Sequence, residues 1–488
     1  MKLNQIFKGI EYELIKGTMD EVVKDIAYDS RLVQNGTLFL ANFGIKEDNQ
    51  KYIPIAIKNG AKAIVISKAI DILENITVIK VKSTTKILSK LSMNFFDNPG
   101  NKLTTIAITG TKGKTTVSFM IKNILECAGH KCALIGTTGI YIDNIKYPTK
   151  NTTPEVYDTI KYMHEAVNKK IDYLIMEVSS QALKYDRVEG IIYDYAIFTN
   201  LTKDHIGGFE HDNMEDYINS KAKLFKQCHH GIFNIDDKYY ERMIKDTNAT
   251  INTYGYSNNA NLRTTNMKLL KAKHFFGIEL TTDGFIKDKF KISSPGKFSS
   301  YNALAAILTC HMLGIDISYI KKALNNFSVI GRVEPIHVSD DFNLLIDYAH
   351  NGASTKSILS TIREYHPKRI VTVFGCGGNR SKDRRYEMGE MAGKYSDFCI
   401  ITEDNNRYES FDSIAKDILI GICKTKCKYK IIPKRKEAIK YAIENAKKGD
   451  IIMLLGKGHE DYLEIKNKKY PFNERLVIKE ILSDLNNQ

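Results

Sequence analysis

The sequence predicts an α/β protein of several domains, and three observations point there. Its 488 residues leave room for about three domains at roughly 150 residues each. From residue 104 the apolar runs are short and continuous: TTIAITG, KCALIGTTG, DYLIMEVSS, YDYAIFTN and GIFNID. Runs of that kind suit parallel strands buried on both faces, and helical patterns such as TTVSFMIKNILECAG lie between several of them. Finally, nearly every run ends in Gly, Asp, Glu, Asn, Thr or His. Open α/β sheets bind ligands beyond the carboxyl ends of their strands, where such residues are useful.

Residues 1–98 alternate TLFLAN, AKAIVIS and ITVIKV with the helix-like YIPIAIKNGA and read as a small α/β domain. The polar FFDNPGNKL marks a linker. A central domain, 99–328, holds the longer runs, a polar stretch (254–295) expected to be antiparallel, and a helix at YNALAAILTCHMLG. The last domain, 329–488, contains FNLLIDYAH, KRIVTVFGCGG, DFCIITEDNN and GDIIMLLGKGHE, a Rossmann-like succession.

Bulk composition narrows the function. A hydrophobic content of 43% with 26% charged residues is that of a globular protein. No apolar run reaches the length of a membrane span, and the first residues, MKLNQIFKGIEYELI, lack a signal-peptide pattern. Eight scattered cysteines form no disulfide or zinc framework, as expected for a cytoplasmic chain with reduced thiols. The net charge of +14 comes mostly from dispersed lysine. Without an arginine-rich tract interleaved with aromatics, it reads as a solvated surface that attracts anionic substrates rather than a nucleic-acid site.

The run IAITGTKGKTTV (106–117) carries the first chemistry. Glycines let successive N–H groups approach phosphate oxygens at a helix N-terminus. Lys114 adds charge for the β/γ-phosphates and Thr115 a hydroxyl for Mg²⁺. The spacing is shorter than the usual P-loop: only two residues separate Gly110 from Gly113-Lys114. Glu177, closing a buried run, is a costly carboxylate unless paired or metal-bound. His205 in TNLTKDH, taken alone, is an ordinary loop histidine.

The order GTKGKTT, NTTP, MEVSSQAL, TNLTKDH, YINSKAKLF, GKFSSYNALAA, GRVEPI, IDYAHNGAS, FGCGGNRSKDRR, GKGHEDY resembles the Mur ligase family of peptidoglycan synthesis over essentially the whole chain. The resemblance implies three domains, with a P-loop-type, mainly parallel central sheet and a Rossmann-like C-terminal domain. It also implies an activity: ATP phosphorylates the free carboxylate of D-Glu in UDP-MurNAc-L-Ala-D-Glu, and the amine of a diamino acid displaces phosphate. The partners are then these small molecules, bound by a monomer with no nucleic acid and no membrane span.

Matched residue by residue, Gly110, Thr111, Lys112, Gly113, Lys114, Thr115 and Thr116 cradle ATP. Thr115, Glu177, His205 and a carbamylated Lys221 hold Mg²⁺. Asn302 contacts adenine, Arg332 the γ-phosphate and Asp347 the ribose. Ser30, in Asp29-Ser30-Arg31, serves the uridine side, while Thr152, Thr153, Ser179, Tyr185 (where the family expects glutamine) and Arg187 serve the acceptor. Arg385, Asp404, Asn405, Arg407, Gly456 and Glu460 would receive the incoming amino acid. Diaminopimelate-adding members carry Asp-Asn-Pro-Arg, and here the stretch is Asp404-Asn405-Asn406-Arg407. The retained arginine favours diaminopimelate, whose second carboxylate it can pair with. L-lysine or another diamino acid is the alternative substrate, and a folylpolyglutamate- or cyanophycin-type ligase the alternative enzyme.

Overall fold

The computed structural model describes residues 1–41, 49–68, 70, 72, 74–204, 206–207, 210–272 and 275–486. The chain is α/β, in two compact units, Met1–Thr253 and Tyr254–Gln488. Among the described residues, no helix is long and apolar enough to cross a membrane.

The first unit begins with a five-stranded sheet in the order Glu13–Lys16, Thr77–Lys80, Ala61–Ile66, Thr37–Leu40, Asp25–Ala27, with only the first strand antiparallel to its neighbour. Beyond it, Cys228–Asn234, Tyr193–Phe198, Thr104–Thr109, Tyr173–Glu177 and Cys132–Gly136 lie side by side and parallel. These are the continuous apolar runs of the sequence, and all five residues of Cys132–Gly136 are buried. The chain leaves Thr104–Thr109 for Cys132–Gly136, returns to the intervening strand, then crosses to the other side. That reversal opens a crevice at the carboxyl ends of the central strands. The helix Lys114–Cys127 covers them by burying Val117, Met120, Ile121, Ile124 and Leu125, the i, i+3, i+4 stripe of one face.

Within this unit the small sheet is tied to the larger one by polar as well as apolar contacts. Tyr28 Oη donates to Asp158 at 2.6 Å and Tyr157 donates to Asp25. The segment around Ser30 is thereby fixed to the helix Val156–Asn168 that follows NTTP.

The second unit starts with the antiparallel strands Leu262–Ala272, Phe275–Gly284 and Lys289–Ile292, as expected of 254–295, and the buried helix Lys297–Met312. Its main sheet runs Glu334–Ile336, Asn343–Asp347, Asp450–Leu455, Arg369–Phe374, Phe398–Ile401, Lys428–Ile431, parallel after the first strand. Again the chain skips a position and fills it later with Asp450–Leu455, so this sheet too has a switch point.

Candidate active site

The phosphate loop is held open by its backbone. Gly113 caps Lys114–Cys127 at φ 89°, a left-handed conformation that costs glycine little, and no side chain occupies the cap. Free N–H groups and the helix dipole therefore face whatever anion arrives. Asn200 braces the loop: its Oδ1 accepts from Lys112 N at 3.0 Å and its carbonyl from Thr111 N at 2.8 Å. Lys114 Nζ folds back onto the carbonyls of Gly110 (2.9 Å) and Thr111 (3.2 Å). Thr116 sits half-buried in the first turn beyond them.

Glu177 is fully buried at the end of its strand, yet it is not stranded in apolar surroundings. Thr115 Oγ1 and Thr137 Oγ1 each donate to its Oε2 at 2.9 Å, and Thr137 N donates to Oε1 at 3.2 Å. The two residues expected to share a cation, Thr115 and Glu177, are thus in direct contact.

Lys221, which its lysine-rich helix would mark as a solvated surface residue, is 1% exposed. Its Nζ donates to Gly110 O at 3.0 Å, the carbonyl that Lys114 also uses, and lies 4.8 Å from the Tyr217 ring centre. Burial first, then the neighbouring Lys114 ammonium, push its amine well below the ordinary lysine range. His205, the other expected magnesium ligand, lies outside the described residues.

On the acceptor side, Thr153 Oγ1 donates to Glu177 O (2.9 Å) and accepts from Ser179 N (3.0 Å). Thr152 and Thr137 hydroxyls meet at 3.1 Å, so NTTP, GTT and MEVSS converge. Ser179 caps the helix Ser180–Lys184, and Tyr185 ends it half-buried. Arg187 pairs with Glu155 at 2.9 Å. Ser30 is buried, with its carbonyl accepting from Asn59 Nδ2 at 3.0 Å.

A second network here went unnoticed in the sequence. His211, 1% exposed, sets its Nε2 2.9 Å from Ser180 Oγ and its Nδ1 3.2 Å from Asp216 Oδ2. Its ring packs 5.0 Å from Tyr217, whose hydroxyl meets Thr111 Oγ1 at 3.0 Å. One imidazole thus links the Ser179 helix to the Lys221 helix and the phosphate loop. The Ser–His–Asp order resembles a hydrolase relay, but Ser180 and His211 are both buried, which suits a structural brace. The only sequence signal was a histidine six residues after His205.

In the second unit, Asn302 is buried on Lys297–Met312. The GRVE and GKGHE motifs meet: Gly331 has φ 71°, and a Cβ there would strike the Gly458–His459 backbone. Arg332 lies over the Tyr348 ring at 5.3 Å. Asp347 is buried, with Oδ2 accepting from Val333 N (2.9 Å) and Oδ1 from Ala349 N (2.8 Å). Burial raises its carboxyl, against the opposing pull of Arg332.

A cavity of about 210 Å³ opens at the carboxyl ends of this sheet, lined among others by Arg385, Asp404, Asn405, Arg407, Gly456 and Glu460. All six residues expected to hold the incoming amino acid are therefore together. Their charges are already organised. Arg385, 1% exposed, gives Nη1 to Glu409 and Asp417 (both 2.8 Å) and Nη2 to Glu409 (2.6 Å) and Gly377 O (3.3 Å). The Glu409 bonds are the largest of the causes that raise its guanidinium further. Arg407, at φ 51°, binds Glu464 (3.0 Å) and Gly378 O (2.8 Å). Asn405 bridges Glu460 (2.9 Å) and Lys457 (3.0 Å), and Lys457 reaches Glu460 at 2.7 Å. Neither Glu409 nor Lys457 was singled out from sequence.

Comparison with known proteins gives this geometry a context. The family model described as Mur ligase middle domain matches residues 108–310, and that described as Mur ligase, glutamate ligase domain matches 331–458. A protein of Caldanaerobacter subterraneus subsp. tengcongensis is 41% identical over 485 residues, 99% of each chain. Another, from Clostridium botulinum, is 41% identical over 492 residues, 99% of this chain and 100% of its own. Both are named UDP-N-acetylmuramoyl-L-alanyl-D-glutamate--2,6-diaminopimelate ligase. A solved structure of a ligase with the same name superposes with a TM-score of 0.75 at 26% identity, covering 100% of both chains.

Proposed function

From the premise that the chain belongs to the Mur ligase family, we propose that it is the ATP-dependent ligase that joins meso-diaminopimelate to the D-Glu carboxylate of UDP-MurNAc-L-Ala-D-Glu. The reading is carried by one observation: in a chain so similar end to end to diaminopimelate ligases, Lys114 and Lys221 share the Gly110 carbonyl, and Thr115, next to Lys114, bonds to the buried Glu177.

A carboxylate resists attack by an amine because it is anionic and has a poor leaving group. Transfer of the γ-phosphoryl group makes an acyl phosphate with a good one, and such transfer depends on positioning and charge neutralisation. Lys114 is assigned to the ATP phosphates, with Gly110, Thr111, Lys112, Gly113 and Thr116 contributing backbone and hydroxyl groups. Thr115 Oγ1 and the Glu177 carboxylate form a hard-oxygen pair that suits Mg²⁺. When bound, the ion would neutralise phosphate charge. Lys221 is assigned as carbamylated: it is buried and held against a carbonyl, and burial favours the neutral amine, the form that combines with CO₂. His205 is assigned to a second Mg²⁺ by correspondence with the family alone. Asn302, Arg332 and Asp347 are assigned to the nucleotide, Ser30 to uridine, and Thr152, Thr153, Ser179, Tyr185 and Arg187 to the acceptor.

For the amino acid, the cavity lined by Arg385 and Arg407 on one hand and Asp404 and Glu460 on the other offers cations and anions to a zwitterion with a second charged end. A site arranged for a distal carboxylate discriminates against a substrate lacking it, since desolvated charges would be left unmatched. The test is purified protein with UDP-MurNAc-L-Ala-D-Glu, ATP, Mg²⁺ and either diaminopimelate or L-lysine, with the product weighed by mass spectrometry. Amide formation with diaminopimelate is expected. Turnover with lysine alone would overturn the substrate assignment.

A further inference from the structure

The cavity of the second unit contains a histidine that the assignments above leave without a task. His350 lines it together with Arg384, Arg385, Asp404 and Glu460. It comes from IDYAHNGAS, a motif noticed for Asp347 rather than for its histidine. Its backbone is pinned on both sides. Arg384 Nε donates to His350 O at 3.0 Å, and Asn351, the next residue, caps the helix Gly352–Arg363 in a reciprocal box with Ser354.

The ring is pinned as well. Nδ1 stands 2.7 Å from Tyr348 O. A carbonyl only accepts, so Nδ1 carries the hydrogen, and in the neutral imidazole Nε2 keeps its lone pair. The Tyr348 ring packs edge-on at 4.6 Å and prevents the imidazole from turning away. The same Tyr348 reaches Glu460 through its hydroxyl at 3.4 Å. A basic nitrogen of fixed tautomer thus lines the cavity in which the amino acid is assigned.

We propose that His350 Nε2 is the proton acceptor for the attacking amine, a role that rests on the acyl-phosphate ligase reading above. Nε2 first takes one proton from the ammonium of the diamino acid, and the lone pair so freed adds to the carbonyl carbon of the acyl phosphate, forming the C–N bond. The C–O bond to the phosphoryl group breaks, and phosphate departs with the electron pair. The nitrogen becomes strongly acidic as its lone pair is consumed. Its remaining surplus proton passes to the departing phosphate, and the proton on Nε2 to solvent. No redox partner is involved. The surroundings keep the ring ready for this: burial, then Arg384 and Arg332, hold the imidazole below its ordinary value, against the hydrogen bond to Tyr348 O and the Asp404 carboxylate. It is therefore unprotonated at neutral pH.

His350→Asn tests the proposal, because the asparagine amide can keep the bond to Tyr348 O while removing the base. Two nucleophiles are compared with the full chain, ATP and the UDP-linked acceptor. Diaminopimelate arrives as an ammonium and needs the acceptor. Hydroxylamine, already unprotonated at neutral pH, intercepts an acyl phosphate as a hydroxamate without it. Amide formation is expected to fall about a hundredfold, with hydroxamate formation within a few-fold of the unaltered protein and the KM for diaminopimelate little changed. His350→Ala with added imidazole should regain part of the amide rate. Equal loss of amide and hydroxamate, or an undiminished amide rate, would overturn the proposal. Failure of the unaltered protein to form either product would instead strike the ligase reading itself.

Discussion

The two clusters of candidate residues handle charge in opposite ways. Around Gly110, two lysine amines donate to one carbonyl, and no side chain caps the helix that follows the loop. In the second unit's cavity, Arg385 is matched by Glu409 and Asp417, Arg407 by Glu464, and Lys457 by Glu460. A site of lysine amines beside open helix N–H groups gains most when a polyanion such as a nucleoside triphosphate enters. A balanced site gains little from net charge and much from geometry, because each ion pair fixes where the remaining donors point. Strength is needed for phosphoryl transfer, and discrimination for choosing one amino acid among many.

The sharpest way to break this contrast is to remove each lysine of the first cluster in turn. Lys114→Ala should cost about a thousandfold or more in ATP-dependent phosphate release. Lys221→Ala should cost a comparable amount, and a small carboxylate such as formate should recover part of it by standing in for the carbamate. If Lys114→Ala left amide formation intact, the phosphate-loop assignment would be wrong.

On the balanced side, Glu409→Gln keeps the shape but frees Arg385 from one partner. The expected effect is roughly a hundredfold fall in kcat/KM for the diamino acid, about 1–3 kcal/mol for a displaced charged bond. Hydroxamate formation, which does not use this cavity, should be spared. His211→Phe is expected to be milder for catalysis, about tenfold, because it acts through Tyr217 and the helices it joins. It removes two buried hydrogen bonds, so stability should fall by about 2 kcal/mol in denaturant unfolding. A rate loss without a stability loss would mean that His211 touches substrate.

How much of this was legible in the sequence follows from the range of the interactions. Strands announced themselves because burial on both faces demands continuous apolar runs, and the phosphate loop because Gly-Lys-Thr-Thr is local. Lys221 was unreadable from its own helix. Four helical neighbours cannot reveal that Gly110, more than a hundred residues earlier, sits against its amine; only the family pattern pointed to it. Arg385 was legible as a cavity residue but not as one held by Glu409 and Asp417, since those partners lie 24 and 32 residues away. His211 and His350 escaped because a histidine carries no periodicity. What gives each its role is the acceptor or donor that the fold places at Nδ1.

The smallest expected effect probes the brace beside the lysine cluster. Burial works against ionisation of Asp216, but bonds from Lys184, Asp212 N and His211 outweigh it and hold the carboxyl down at about 2, below the roughly 3.9 of an unfolded aspartate. A group depressed on folding stabilises the native state above its unfolded value and loses that contribution as pH falls through the folded one. The difference in Tm between the unaltered protein and Asp216→Asn should therefore be constant from neutral pH down to about 5 and then shrink towards zero near pH 2. A difference that stayed constant over the whole range would mean that the carboxylate charge contributes nothing there. The Ser180–His211–Asp216 link would then hold by shape and neutral hydrogen bonding alone, and the contrast between the two clusters would narrow to the lysines.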